Sequence, residues 1–281
     1  MKLAFSTLGC PNWELERIAQ AAHAFGYEGV ELRALGGDLD LLNRSEFIPS
    51  AVATTRQWFA DQGLSVCCVD SSCTFDSLDQ HERRRQVETA IRHCELAAKL
   101  DSPLVRVFPD RIPAGATREQ TRDNIASSLK EVAENCPDSV RVALETHGDF
   151  ARAEAAGEIV KLAANPNVAL IWDVANALNA GDSIEESAIG VSAHLAHVHL
   201  RDACSVSGQE HWRPVLSGRG NVSFEATVNE LQRMQYDGYV CFEWEKYWQP
   251  DIEDPEVALP DFANAMKKIL AQDGSRVRSM A

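Results

Sequence analysis

Val140-Arg-Val-Ala-Leu-Glu145 is followed, after a helical interval, by Val168-Ala-Leu-Ile-Trp-Asp173. Each run is almost wholly apolar and ends in a single carboxylate. A strand with one wet face would alternate apolar and polar residues, so these read as parallel strands covered on both faces. The same unit recurs toward both termini: Lys2–Ser6, Gly29–Leu32, Leu64–Val69 and Leu104–Phe108 before it, Ala196–Leu200 and Tyr239–Glu243 after it. The stretches between carry helix signals. Leu15, Ile18, Ala19, Ala22 and Phe25 share a helix face that Asn12 is placed to cap. Thr117 with Gln120 and Ser183 with Glu186 have capping-box spacing, and Asp79 with Glu82 marks a third start. Phe224, Val228, Leu231 and Met234 form the stripe of a seventh helix, and an eighth is expected over roughly Pro255 to Leu270.

Strand then helix, eight times over, predicts a (β/α)8 TIM barrel of the α/β class. The first strand–turn, Ser6-Thr-Leu-Gly-Cys-Pro11, lacks the glycine fingerprint of a dinucleotide-binding sheet, and no P-loop is present. No composition break marks a linker, so one domain over residues 1–281 is expected, with a polar tail fraying from about 272.

Composition narrows the function classes. Hydrophobic residues are 45% and charged residues 25%, an ordinary globular balance. Lys and Arg number 27 against 42 Asp and Glu, a formal charge of −15 that repels phosphate backbones and excludes nucleic acid as a partner. The densest basic run, Arg83-Arg-Arg85, sits among acidic residues on a helix. No run is long and apolar enough for a membrane span or a signal peptide, which points to the cytoplasm. The eight cysteines form no CxxC pair and read as reduced thiols.

In a barrel of this type the site lies where the strands end. The second strand offers Glu31 and Arg33, the third Asp70, the fourth Arg106 and Asp110, the fifth Glu145 and His147. The sixth offers Asp173 and Asn176, the seventh His197, His199 and Asp202, the eighth Glu243 and Glu245. Four consecutive strands thus each deliver a potential metal ligand: Glu145, Asp173, His199 and Glu243. Such an oxygen-rich set with one imidazole suits Mn²⁺, Mg²⁺, Co²⁺ or Zn²⁺.

These stretches resemble the xylose isomerase-like barrels of sugar and sugar-phosphate isomerases and epimerases. The likeness rests on Ala143-Leu-Glu-Thr-His147, Ile171-Trp-Asp-Val-Ala-Asn176, His197-Val-His-Leu-Arg-Asp202 and Gly238-Tyr-Val-Cys-Phe-Glu243, with the opening Lys2–Pro11 and Gly26–Leu32. The resemblance implies one divalent cation held by Glu145, Asp173, His199 and Glu243, the two glutamates doubling as acid/base groups on opposite faces of a small carbohydrate. Moving a carbonyl along a sugar, or inverting the carbon beside one, passes through an enediolate. That species needs a cation for its charge and carboxylates for its protons.

The chain also departs from the ketose 3-epimerases of that group. Asn176 stands where they often carry His, and Ser205 where they carry a substrate Arg. His147 is placed to meet a substrate hydroxyl or phosphate; Arg106, Arg201, Arg213 and Lys246 suit a phosphate or sugar-acid carboxylate, or else serve as surface or salt-bridge residues. Asp202 is expected to orient His199, touch substrate or cap a loop. His197 is either a partner of His199 or barrel filling, Glu245 a loop anchor, and Trp244, Tyr247 and Trp248 either a pocket wall or packing against the first helix. A dehydratase of keto-inositol or dehydroshikimate type is the alternative reading, since an enolate can expel a β-hydroxyl. A phosphodiesterase like endonuclease IV would need more rim histidines and a positive groove; a silent sugar-binding protein would bind metal weakly. A homo-oligomer is compatible with the sequence.

Overall fold

The computed structural model describes residues 1–208 and 211–279. The chain runs β1 (Lys2–Ser6), α1 (Leu15–Phe25), β2 (Gly29–Leu32), α2 (Val52–Asp61), β3 (Ser65–Thr74), α3 (Gln80–Lys99), β4 (Leu104–Phe108) and α4 (Arg118–Asn135). It continues with β5 (Arg141–Glu145), α5 (Ala153–Ala163), β6 (Val168–Asp173), α6 (Val174–Asn179), α7 (Ile184–Val191) and β7 (Leu195–Leu200). Then come β8 (Asp202–Cys204), β9 (Arg213–Val215), α8 (Phe224–Arg233), β10 (Tyr239–Phe242) and α9 (Pro255–Ser279).

β1 to β7 and β10 form a closed barrel in which β1 pairs in parallel with both β2 and β10. The fold is therefore the (β/α)8 barrel that the repeated unit predicts. Strands and helices bury against each other without a wet sheet face: β6 is buried along its whole length, Trp172 included. Among the described residues no helix is long and apolar enough to cross a membrane.

Several local expectations change. Glu14, not Asn12, occupies the cap position of α1 and makes no side-chain cap bond. The caps at Thr117, Ser183 and Asp79 do form, with a full capping box at Ser183 and Glu186. β3 extends to Thr74 because Ser71 Oγ donates to the Arg106 carbonyl at 2.7 Å, carrying the strand through polar residues that apolar patterning does not register. The helical backbone of α9 reaches Ser279, past the expected fraying point near 272; Met280 and Ala281 lie outside the described residues. The long seventh-strand loop holds an antiparallel β8–β9 hairpin that sequence patterning does not reveal.

The expectation of reduced thiols throughout also needs correction. Cys94 on α3 is joined to Cys136, just after α4, with Cα atoms 5.6 Å apart. The two are 42 residues apart in sequence, and only the side-by-side packing of α3 and α4 brings them together. The other six cysteines are free, five of them buried and Cys204 half-buried.

Candidate active site

The C-terminal ends of β5, β6, β7 and β10 bring Glu145, Asp173, His199 and Glu243 together, each offering one ligand atom within 4.8 Å of the others. All four are buried, at 3% exposure or less. Sheet register explains the meeting: Asp173 lies directly opposite His199 across the β6–β7 pair, and Glu243 follows β10, the other neighbour of β7. Asp173 also ends its strand as the cap of α6, its Oδ1 accepting the Asn176 N–H at 2.8 Å, so one residue both closes a strand and starts a helix.

Two arginines enter this cluster. Arg106 Nη1 donates to Glu145 Oε2 at 2.8 Å, its Nη2 lies 3.1 Å from Asp70, and its guanidinium stacks over the Phe108 ring. Arg201 Nη1 donates to Asp173 and to Glu243, while its Nη2 reaches Asn176 Oδ1 at 3.1 Å and Glu245 at 2.8 Å. Asn176 Nδ2 in turn donates to Glu145 Oε1 at 3.4 Å. Both arginines are thus bound to the acids that would hold the cation, rather than standing free as anion receptors. Each is also held protonated above the ordinary arginine value by the acids, against the opposing effect of burial.

Glu31, in the middle of buried β2, accepts the Nε2–H of His199 at 2.8 Å and that of His197 at 3.0 Å on one oxygen. His197 is therefore a partner of the acid that orients His199 as well as barrel filling. His199 Nδ1 is left buried without a hydrogen-bond partner, 3.4 Å from Glu243 Oε2 and 3.7 Å from Glu145 Oε2. An imidazole fixed through one nitrogen by a carboxylate, with the other aimed among acids, is the arrangement of a metal-ligating histidine.

Charge points the same way. Within this cluster five buried carboxylates (Glu31, Asp70, Glu145, Asp173, Glu243) face three buried guanidiniums (Arg33, Arg106, Arg201). With the histidines neutral, the formal excess is two negative charges, which one divalent cation would balance. The residues present fit such an ion. Without it, protons take part of its place. Burial, reinforced by the charge of Glu243, raises Glu145 to about 7. Burial also raises Asp173, to about 6, against the pull of Arg201. Burial would push Glu243 up as well, but the charges of His199, Arg201 and Arg106 outweigh it and hold Glu243 well below the carboxylate range. His199 moves opposite to its burial, raised by the charges of Glu243 and Glu31.

Above the cluster opens a cavity of about 540 Å³ lined in part by His147, Asn176, Arg201, Trp212, Glu245 and Trp248. His147 sits on its wall against Phe108, lowered to about 4 by burial and by Arg106, and so presents a neutral ring. Of the aromatic trio after β10, Trp248 lines the cavity, whereas Trp244 is buried and donates to the Glu253 carbonyl. Asp202 takes the last of the three roles its sequence position allows. Its two oxygens accept the backbone N–H groups of Ala203, Gly220 and Val222, so it anchors the loop rather than orienting His199 or meeting substrate. Sequence reasoning places Glu31, Asp70 and Glu245 at strand ends without giving the first two a role or seeing Arg201 as the partner of the third. The available signal was the burial itself, since a charge inside the apolar run Gly-Val-Glu-Leu must find a partner.

Gly148 follows His147 at φ +58°, and a Cβ there would lie 2.0 Å from the Asp110 carbonyl oxygen. Gly148→Ala is expected to cost roughly 1–3 kcal/mol from the left-handed backbone and that close approach. Urea unfolding of the variant measures it, and a loss under about 0.5 kcal/mol, the range of ordinary surface changes, would refute the requirement.

A family model described as xylose isomerase-like TIM barrel matches residues 19–269. The chain belongs to this family. An uncharacterized protein of Methanocaldococcus jannaschii is 29% identical over 177 residues, and the match spans 59% of either chain. Among solved structures, an L-ribulose 3-epimerase superposes with a TM-score of 0.79 at 16% identity, covering 100% of this chain and 98% of the other. The IolI protein, solved with a bound zinc atom, gives 0.77 at 18% identity with 97% of both chains covered. At these identities the structural likenesses establish the shared barrel.

Proposed function

We propose that this member of the family is a divalent-metal-dependent isomerase or epimerase of a small carbohydrate carrying a carbonyl group. The observation that carries the reading is the pair Glu145 and Glu243. They are two buried carboxylates brought into one donor cluster at the strand ends, so that two proton-transfer groups stand beside the same cation site. A pair of carboxylates at one site can divide the roles of acid and base. A divalent ion held by Glu145, Asp173, His199 and Glu243 would supply electrostatic stabilisation of negative charge on substrate oxygens.

The remaining work falls to the chain. In this reading one of Glu145 and Glu243 accepts the proton α to the carbonyl and the other returns one, which inverts or relocates a centre depending on the carbon that receives it. Arg201 and Asn176, bonded to each other and to these acids, form the boundary between cluster and cavity and are suited to fix substrate oxygens. His147 offers a neutral donor or acceptor on the wall, and Arg106 holds Glu145 in position. The zinc atom in the IolI structure and the ribulose substrate class of the epimerase structure agree with this assignment.

Elemental analysis tests the metal site. The protein is expected to retain about one divalent ion per chain, and Asp173→Asn and His199→Ala to lose it with unchanged circular dichroism. Full occupancy in both variants would place the ion elsewhere. A screen of ketoses with Mn²⁺ in deuterated water tests the chemistry: products of unchanged mass apart from solvent deuterium are expected. A product lighter by one water would replace the assignment with a dehydratase.

A further inference from the structure

The cavity is larger than the proposed reaction requires. Even at liquid water's roughly 30 Å³ per heavy atom, the twelve heavy atoms of a ketohexose occupy about 360 Å³, against about 540 Å³ here. The four donors do not line this space; Arg201 and Asn176 bridge from it down to them. The reacting ring therefore belongs beside Arg201 and Asn176, which leaves volume for a further group. The lining also includes the indoles of Trp212 and Trp248 and the acids Asp110, Asp149 and Glu245, the last 2.8 Å from Arg201. Trp248 is 56% exposed although it is a large apolar ring, and it packs edge-on against Tyr247, which fixes its plane.

Flat aromatic faces among carboxylates suit a sugar ring. The ring's C–H face is apolar with positive hydrogen edges that meet the negative face of an indole, and its hydroxyls donate to the acids. Charge weighs against the other extension of a sugar, a phosphate. Among the described lining residues Asp110, Asp149 and Glu245 outnumber Arg111 and Arg201, and Arg201 is already bonded to Asp173, Glu243 and Glu245. A cavity of net negative charge in a chain of net charge −15 repels a dianion.

We infer that the cavity holds a second, outer saccharide subsite, formed by Trp212 and Trp248, and that the substrate is an uncharged glycoside or disaccharide rather than a free sugar phosphate. This rests on the isomerase reading for the inner ring, but the outer ring can be tested by binding alone.

Calorimetric titration of the metal-loaded protein would compare D-fructose, D-fructose 6-phosphate and three ketose disaccharides, turanose, lactulose and isomaltulose, which differ in linkage. The best disaccharide is expected to bind at least about 10-fold more tightly than D-fructose, the factor one or two aromatic stacking contacts supply. D-Fructose 6-phosphate should bind no better than D-fructose. Trp248→Ala and Trp212→Ala should each bring the disaccharide-to-fructose ratio toward one, while Trp248→Phe, which keeps a stacking face, preserves most of it. Since Trp248 is exposed, its replacement leaves the core intact. Tightest binding of the phosphate, equal binding of all sugars, no binding of any, or a ratio unmoved in both alanine variants would overturn the subsite. Disaccharide preference without turnover or solvent exchange would leave the subsite standing and sink the isomerase reading. Turnover of D-fructose without disaccharide preference would do the reverse.

Discussion

Glu145→Gln and Glu243→Gln are each expected to lower kcat about 10²- to 10⁴-fold at saturating Mn²⁺, the usual contribution of a positioned acid or base. The two glutamine variants keep the volume and one oxygen of each side chain, so they separate proton transfer from metal holding. If Glu243 removes the α-proton, Glu243→Gln should abolish wash-in of solvent deuterium at the substrate carbon. Glu145→Gln should still permit proton removal, so deuterium exchange into recovered substrate survives while conversion fails. The reverse pattern of exchange in the two variants would interchange the two roles. Recovery of full activity in both variants on raising Mn²⁺ would show that the glutamates serve as ligands only.

Arg106→Met should be the most destabilising single change in the site. Arg106 is 2% exposed and lies 2.8 Å from Glu145, 3.1 Å from Asp70 and 3.8 Å from Glu243. Removing one partner from a buried ion network leaves uncompensated charge and costs about 3–5 kcal/mol, a Tm drop of roughly 5–8 °C for a chain of this size. Asp70→Asn added to Arg106→Met should recover part of the loss, because one of the stranded charges disappears with it; Asp70 is pushed up by burial and by the charge of Glu31, with Arg106 opposing. Calorimetry on the two single variants and the double variant closes the cycle. A single Arg106→Met loss under about 1 kcal/mol would mean that the acids neutralise themselves by protonation, and that the arginine is not what keeps them ionised.

The barrel was legible because its signal is local. Each apolar strand and each amphipathic stripe, such as Ile18, Ala19 and Ala22 on α1, is written in a few consecutive residues, and eight repeats leave one closed arrangement of parallel strands. The four donors were legible for the same reason. A polar residue at the end of one apolar parallel strand can cap a helix or anchor a loop, as Asp202 does, but four on consecutive strands point to one rim, where Glu145, Asp173, His199 and Glu243 meet.

What the sequence could not specify were contacts that depend on register between strands and on loop paths. Glu31 meets His199 across 168 residues, and only barrel closure through β1 and β10 puts β2 within reach of β7. Arg106 and Arg201 could be anion receptors or salt-bridge residues as far as the sequence goes; the register that sets Asp70 opposite Arg106 and the packing that puts Asp173 and Glu243 against Arg201 decide for the second. Asp202 could orient His199, touch substrate or cap a loop as far as the sequence goes. The path of the chain after β9 decides for the loop, bringing the backbone N–H groups of Gly220 and Val222 onto its carboxylate. The Cys94–Cys136 pairing likewise awaited the packing of two helices. Sequence alone determined which residues the barrel presents at its rim, because strand direction is a local property. The tertiary structure decided which of them face each other and carry charge, because pairing and burial are set by neighbours distant in the chain.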